Sequence, residues 1–177
     1  DTETDITTFF LKHEIDTGDV ISQEKIEIRP TDNVGDVHDR LMELGAELTL
    51  KTIDDIVAGE IVRTPQEHLA LDVEPCEAPK IFAEDCLIDW NRPAEELRNQ
   101  VRGLSPYPGA RGLVEGIGDV KIFEVKVSDK KLSPGEVIID GSNLIVGAGD
   151  NRSLEVVSLQ APGKRRMPVA DFLRGLR

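Results

Sequence analysis

The amino-acid sequence predicts an α/β piece followed by a small all-β domain. Three observations carry this reading. The first stretch, to about residue 60, holds two β-branched and aromatic runs and then an apolar pattern spaced three, four, three, four. From about residue 112, short β-rich runs alternate with turn signals. Between these regions, residues 61–79 are interrupted by proline and show no sustained period. The expected organisation is residues 1–60, a linker over 61–79, and a second domain over 80–177.

Each element has a local cause. Residues 6–12, ITTFFLK, read as a strand because β-branched and aromatic side chains fit a pleated surface. Residues 20–28 read as a second strand, with its clearest alternation at Ile26 and Ile28. Pro30 ends it, since proline has no N–H for the ladder. HEIDTGD joins the two strands. In the segment that follows, Val34, Val37, Leu41, Leu44 and Leu48 fall on one helical face. Asp32 or Asn33 is the candidate N-cap and Gly59 the candidate stop, while Gly45 weakens the helix and marks a candidate kink. RPAEELRNQVRG predicts a short helix, with Pro93 in its first turn, Leu97 and Val101 one turn apart, and Gly103 at its end. SPYPGA reads as a rigid turn. KIFEVKV, EVIID, LIVGA and LEVVSLQ are then separated by SPG, DGSN and GDN, the pattern of a small barrel or sandwich. A short amphipathic segment, PVADFLRGL, closes the chain. The strand–strand–helix piece is too small for a core of its own, and the chain starts inside what reads as a sheet. The expectation is the C-terminal part of a longer protein.

Composition limits the function. The 177 residues are 39% hydrophobic, enough for a core, and carry a net charge of −13. No apolar run reaches the roughly 18 residues of a membrane span, and no basic-then-apolar leader is present. Cys76 and Cys86 are the only cysteines. They read as reduced cytosolic thiols and lack the C-x-x-C spacing of a zinc site, so no metal is expected. Residues 1–100 carry about −16 and residues 101–177 about +3, which recovers −13. The N-terminal part should repel nucleic acid, and the C-terminal part is only weakly basic.

The densest candidate chemistry lies in HEIDTGDVI, residues 13–21, where Glu14, Asp16 and Asp19 surround Gly18. The D-T-G triplet invites an aspartic-protease reading, but Asp19 follows at once and would disturb a shared-proton pair. Local pattern alone favours an acidic hairpin turn, since a lone aspartate needs partners to do chemistry. His13, His38 and His68 form no metal pattern. GAGDN at 147–151 lies between two strands and reads as a turn, not a dinucleotide fingerprint. Lys164, Arg165 and Arg166 are the densest basic cluster, and alone they read as a solvated loop.

These segments become one pattern when read together. TTFFLKHEIDTGDVI resembles the stretch around the catalytic aspartate of folate-dependent formyltransferases, and DNVGDVHDRLMELGAELTLKTIDDI is similar to the helix that follows it. APKIFAEDCLIDWNRPAEELRNQVRGLSPYPGA, with its I-D-W, Pro-Ala, V-R-G and P-x-P-G-A, resembles the start of the C-terminal domain of the methionyl-tRNA formyltransferase family. LQAPGKRRMPVADFLRG is similar to its end. The resemblance spans nearly the whole chain. It implies a Rossmann-like catalytic domain, of which residues 1–60 are the final portion, and an OB-fold-like β-barrel over 80–177.

The implied reaction moves a formyl group from 10-formyltetrahydrofolate to the amino group of methionine on initiator tRNA. An asparagine, a histidine and an aspartate act together in this family, the first two steadying an oxyanion and the aspartate orienting the histidine. By position the aspartate is Asp16. Lys12, His13, Glu14 and Ile15 fall where the same loop lines the folate site. The asparagine and histidine belong upstream of residue 1, and His13 does not take the histidine's place, so this chain alone is expected to be inactive. Lys164, Arg165 and Arg166, with Lys121, Lys126, Lys130 and Lys131, are the candidate tRNA contacts. Asp5 stands where the family often has a small residue, and Arg111 where it often has an aromatic one. A cytoplasmic monomer is implied. Two other readings stay open: a formyltransferase acting on an amino-sugar nucleotide, and a tRNA-binding module without catalysis.

Overall fold

A computed structural model describes residues 2–69 and 77–176. The chain divides into two compact units, Asp1–Asp32 with Asp36–Pro79, and Asn33–Gly35 with Lys80–Arg177. Cys76 lies outside the described residues, while Cys86 is buried and its thiol points to the Phe82 carbonyl. Among the described residues no helix is long and apolar enough to cross a membrane.

In the first unit, β1 (Glu3–Phe9) pairs antiparallel with β2 (Val20–Glu27). Both strands match the β-branched runs, although β1 begins and ends three residues earlier than ITTFFLK suggests. α1 (Val34–Ala58) follows, with Asn33 Oδ1 accepting from the Gly35 N–H, 2.8 Å away, as an N-cap does. The helix stops at Gly59, whose φ of +75° few other residues adopt.

Leu48 and Thr52 are buried, and the Thr52 and Thr8 hydroxyls hydrogen-bond at 3.0 Å. Gly45 is not a break: α1 runs on through it. A Cβ there would sit 2.5 Å from Ile6 Cδ1, so the glycine serves close approach to β1. The helix is apolar on its other side as well, where Met42, Leu50, Ile53 and Val57 are exposed. Residues 61–64 of the expected linker continue this unit, because Val20 and Thr64 exchange two backbone hydrogen bonds.

The second unit is a six-stranded antiparallel sheet with short helices. β3 (Ala110–Val114), β4 (Gly118–Ser128), β7 (Ser153–Gln160), β6 (Asn143–Gly147) and β5 (Val137–Asp140) are neighbours in that order, and β8 (Met167–Pro168) pairs with β7. The four β-rich runs correspond to β4 to β7. The other two strands, β3 and β8, carry no alternation long enough to announce them.

The turn signals work as expected, with Gly135, Gly141 and Asn151 at positive φ. The core consists of inward residues such as Ile122, Leu144, Val146, Leu154, Val156 and Leu159, all fully buried. α2 (Ala94–Gly103) seals it with Ala94, Leu97 and Val101, and α3 (Val169–Arg174) adds Val169 and Leu173. The hydrogen-bonded path is open, with β3 and β5 at its ends. The outer edge of β3 is covered instead by residues 86–88: Arg111 N–H donates to Cys86 O, and Ile88 N–H to Arg111 O, both at 2.7 Å.

Candidate functional site

The loop carrying Asp16 is built by constraints on its backbone. Phe10 N–H donates to Asp19 O at 3.0 Å, closing residues 11–18 into a loop. Gly18 is buried at its base, where a Cβ would lie 1.4 Å from the Phe10 carbonyl oxygen. No side chain fits there, which explains the glycine better than turn propensity does. Asp16 adopts φ +59°, a left-handed conformation that aspartate tolerates better than most residues.

The Gln66 side-chain amide donates to Asp16 O at 2.7 Å and Gly18 O at 2.9 Å. Thr17 Oγ1 donates to Glu14 O at 3.0 Å. Behind the loop, the Arg63 guanidinium stacks 4.1 Å from the centre of the Phe10 ring. Gln66 and Arg63 arrive on the segment that Thr64 ties to Val20. No sequence signal marked them, because they lie in a proline-broken stretch and only strand pairing brings them here.

The three acids differ. Lys12 Nζ pairs with Asp19 at 2.7 Å, so Asp19 is engaged within the loop. The Asp16 side chain is exposed, and no hydrogen bond joins it to His13 or Glu14. This is a carboxylate on a fixed peptide, open to a group from outside the loop. The side chains of Lys12, His13, Glu14 and Ile15 are exposed too, Ile15 at 88%. Among the described residues no backbone bond uses their N–H groups. That run of available donors suits an extended polar ligand edge. Among the described residues no group of three or more His, Cys, Asp or Glu stands together to hold a metal.

The basic candidates in the second unit are partly gathered. Arg166 lies over the Phe123 ring, 4.8 Å from its centre, and its Nε donates to Ser158 Oγ at 2.9 Å. Lys164 and Arg165 are exposed on the turn before it, which is closed by Lys164 N–H to Ala161 O at 3.0 Å. Lys121 stands beside this turn: its register partner is Gln160, whose amide donates to Lys164 O at 2.7 Å. Lys126 stands apart. It lies five residues further along β4, about 16 Å at strand rise, opposite Glu155.

Comparison with known proteins fits both halves of this description. Residues 80–177 match the family described as formyl transferase, C-terminal domain, and residues 1–53 match the one described as formyl transferase. The chain is 50% identical, over 99% of its length, to the methionyl-tRNA formyltransferase of Bacteroides fragilis. It is 46% identical, over its whole length, to that of Bacteroides thetaiotaomicron. It spans 56% and 57% of these relatives, about half their length. HypX from Aquifex aeolicus, solved in complex with tetrahydrofolic acid, matches with a TM-score of 0.71 over 97% of this chain and 30% of that one. At 21% identity that is a likeness of fold alone.

Proposed function

The chain belongs to the formyl transferase family, and on that premise we propose that it is part of an enzyme that formylates methionyl-initiator tRNA. The observation that carries this reading is the 50% identity to the Bacteroides fragilis methionyl-tRNA formyltransferase over 99% of this chain. In it, residues 1–60, continued by 61–66, are the end of a Rossmann-like catalytic domain, and 80–177 are an OB-fold-like barrel. The protein works in the cytoplasm as a monomer.

The co-substrate is 10-formyltetrahydrofolate, which supplies an electrophilic formyl carbon when bound. Backbone donors of Lys12, His13, Glu14 and Ile15 hold its pteridine edge. The Asp16 carboxylate accepts an N–H from a histidine on another part of the catalytic domain. That bond fixes the ring's orientation and raises its affinity for a proton, which favours proton transfer from the attacking amine. An asparagine and the protonated imidazole would then steady the charge on the formyl oxygen as the amine adds, until the formyl C–N bond to the folate breaks and tetrahydrofolate leaves with the proton on that nitrogen. Lys164, Arg165, Arg166, Lys121 and Lys126 hold tRNA phosphates, a contact that positions the substrate without reading its sequence.

The catalytic histidine and asparagine are not assigned to any of these 177 residues, so the chain by itself should not turn over. The test uses the Bacteroides fragilis relative with its matched 56% replaced by this chain. The chimera should formylate methionyl-initiator tRNA, and the 177-residue chain should not. Turnover by the chain alone overturns the three-residue account. Activity of the chimera on an amino-sugar nucleotide and none on charged tRNA overturns the substrate assignment.

A further inference from the structure

Arg111, Lys121 and Gln160 stand in one register row across β3, β4 and β7. Side chains in such a row share one face of the sheet. With Asp119, Val120 and the turn at 161–163, they line a groove of about 320 Å³. Two cations directly opposite on neighbouring strands repel. Arg111 and Lys121 are therefore a costly pair unless an anion stands by. Asp119 supplies one from within the chain, accepting from Arg111 Nη2 across the β3–β4 hairpin. Lys121 gives its ammonium to a neutral group, the Pro108 carbonyl, at 2.9 Å. The groove thus holds two cations and one internal anion. Gln160 ties it to the turn that carries Lys164 and Arg165.

We propose that this groove takes an RNA phosphodiester and that Asp119 is its internal competitor. The phosphate displaces the Asp119 carboxylate from Arg111 and seats between the guanidinium and the Lys121 ammonium. The planar fork of arginine suits phosphate as well as carboxylate, so the exchange keeps the geometry while changing the partner. Asp119 then sets how tightly the basic face holds RNA. The inference rests on the tRNA reading above and adds to it a residue that works against binding.

The experiment is a salt titration of labelled initiator tRNA binding to the full 177-residue chain, for wild type, Asp119→Asn, Arg111→Gln and the double variant. Asp119→Asn should bind several-fold more tightly at low salt. Arg111→Gln should bind several-fold more weakly, with the slope of log affinity against log salt falling by about 0.7 to 0.9. In the Arg111→Gln background, Asp119→Asn should add little, because the acid acts through that arginine. Arg111→Gln removes the like-charge pair, so it stays folded and informative if Asp119→Asn proves unstable. Salt-dependent wild-type binding that neither single variant alters overturns the groove and leaves the tRNA reading standing. Absence of salt-dependent binding by wild type overturns the tRNA reading and the groove with it.

Discussion

The side-chain amide of Gln66 reaches fifty residues back along the chain and donates to the main-chain oxygens of both Asp16 and Gly18. The clamp fixes the peptide that carries the candidate catalytic carboxylate and leaves the carboxylate itself exposed. Replacing Gln66 with Leu removes two donors from an exposed loop, so the stability cost should be modest, about 1 kcal/mol. The larger effect should be on order. The Phe10 amide, which donates to Asp19 O at the base of the loop, should exchange faster with solvent, and kcat of the chimera should fall about tenfold with KM for tRNA little changed. Unchanged exchange in that loop would show that Gln66 is not what orders it.

Gly18 meets a harder constraint. Alanine there must push the Phe10 carbonyl aside, because the 1.4 Å approach leaves no room and the neighbour is backbone. The loss should reach or exceed the roughly 1–3 kcal/mol of ordinary overpacking, seen as a lower midpoint in urea. Gly59→Ala is the contrasting case. Its φ is +75° but nothing lies within 4 Å, so only backbone strain of about 1–2 kcal/mol applies. Equal losses at the two sites would argue that the crowding at Gly18 is relieved cheaply.

Asp16→Asn keeps the shape of the side chain and removes its charge. Because the side chain is exposed and makes no hydrogen bond among the described residues, stability should change by less than about 0.5 kcal/mol. Formylation by the chimera should fall by about 10²-fold or more, the scale of a lost general acid–base contribution. A variant that loses its fold, or one that keeps full activity, would return Asp16 to the role of a turn residue.

Much of this was legible in the sequence because it is written locally. The β-branched runs, the apolar period of α1 and the Gly and Asn turns of the second unit depend on neighbours within a few residues. Asp16 was legible differently, through a motif whose meaning comes from a family and not from its own surroundings. What stayed hidden is what pairing creates. Gln66 and Arg63 reach the Asp16 loop only because Thr64 bridges Val20. Gly45 looked like a weakness in α1, and its reason appears only with Ile6 laid against it. Arg111 and Lys121 lie ten positions apart and become a charged row only through the register of β3 on β4. Lys126 belongs to the same strand and the same charge count, yet it stands apart from that row.

Acid should loosen the second unit first at the start of α2. Asp150 Oδ1 accepts from the N–H groups of Ala94 and Arg152, each at 3.3 Å, and Oδ2 accepts from Arg152 Nε at 2.8 Å. Burial pushes the Asp150 carboxyl up, but the Arg152 and Ala94 bonds outweigh it and hold the group below its ordinary value of 3.8. Close by, Asp89 is held down by the Asn91 backbone and side-chain amides. A depressed carboxyl stabilises the fold above its unfolded value, and that contribution is lost as pH falls through the folded one. Stability should therefore be insensitive to these groups at neutral pH, begin to decline from about pH 5 as the unfolded carboxyls protonate, and lose their full contribution as pH falls through the folded values below 3.8. The check is exchange protection of the Ala94 amide as a function of pH. It should begin to drop from about pH 5 in wild type, while Asp150→Asn should start lower at neutral pH and lose little more on acidification. A variant with the wild-type acid profile would place the sensitive group elsewhere, with Asp89 as the next residue to replace.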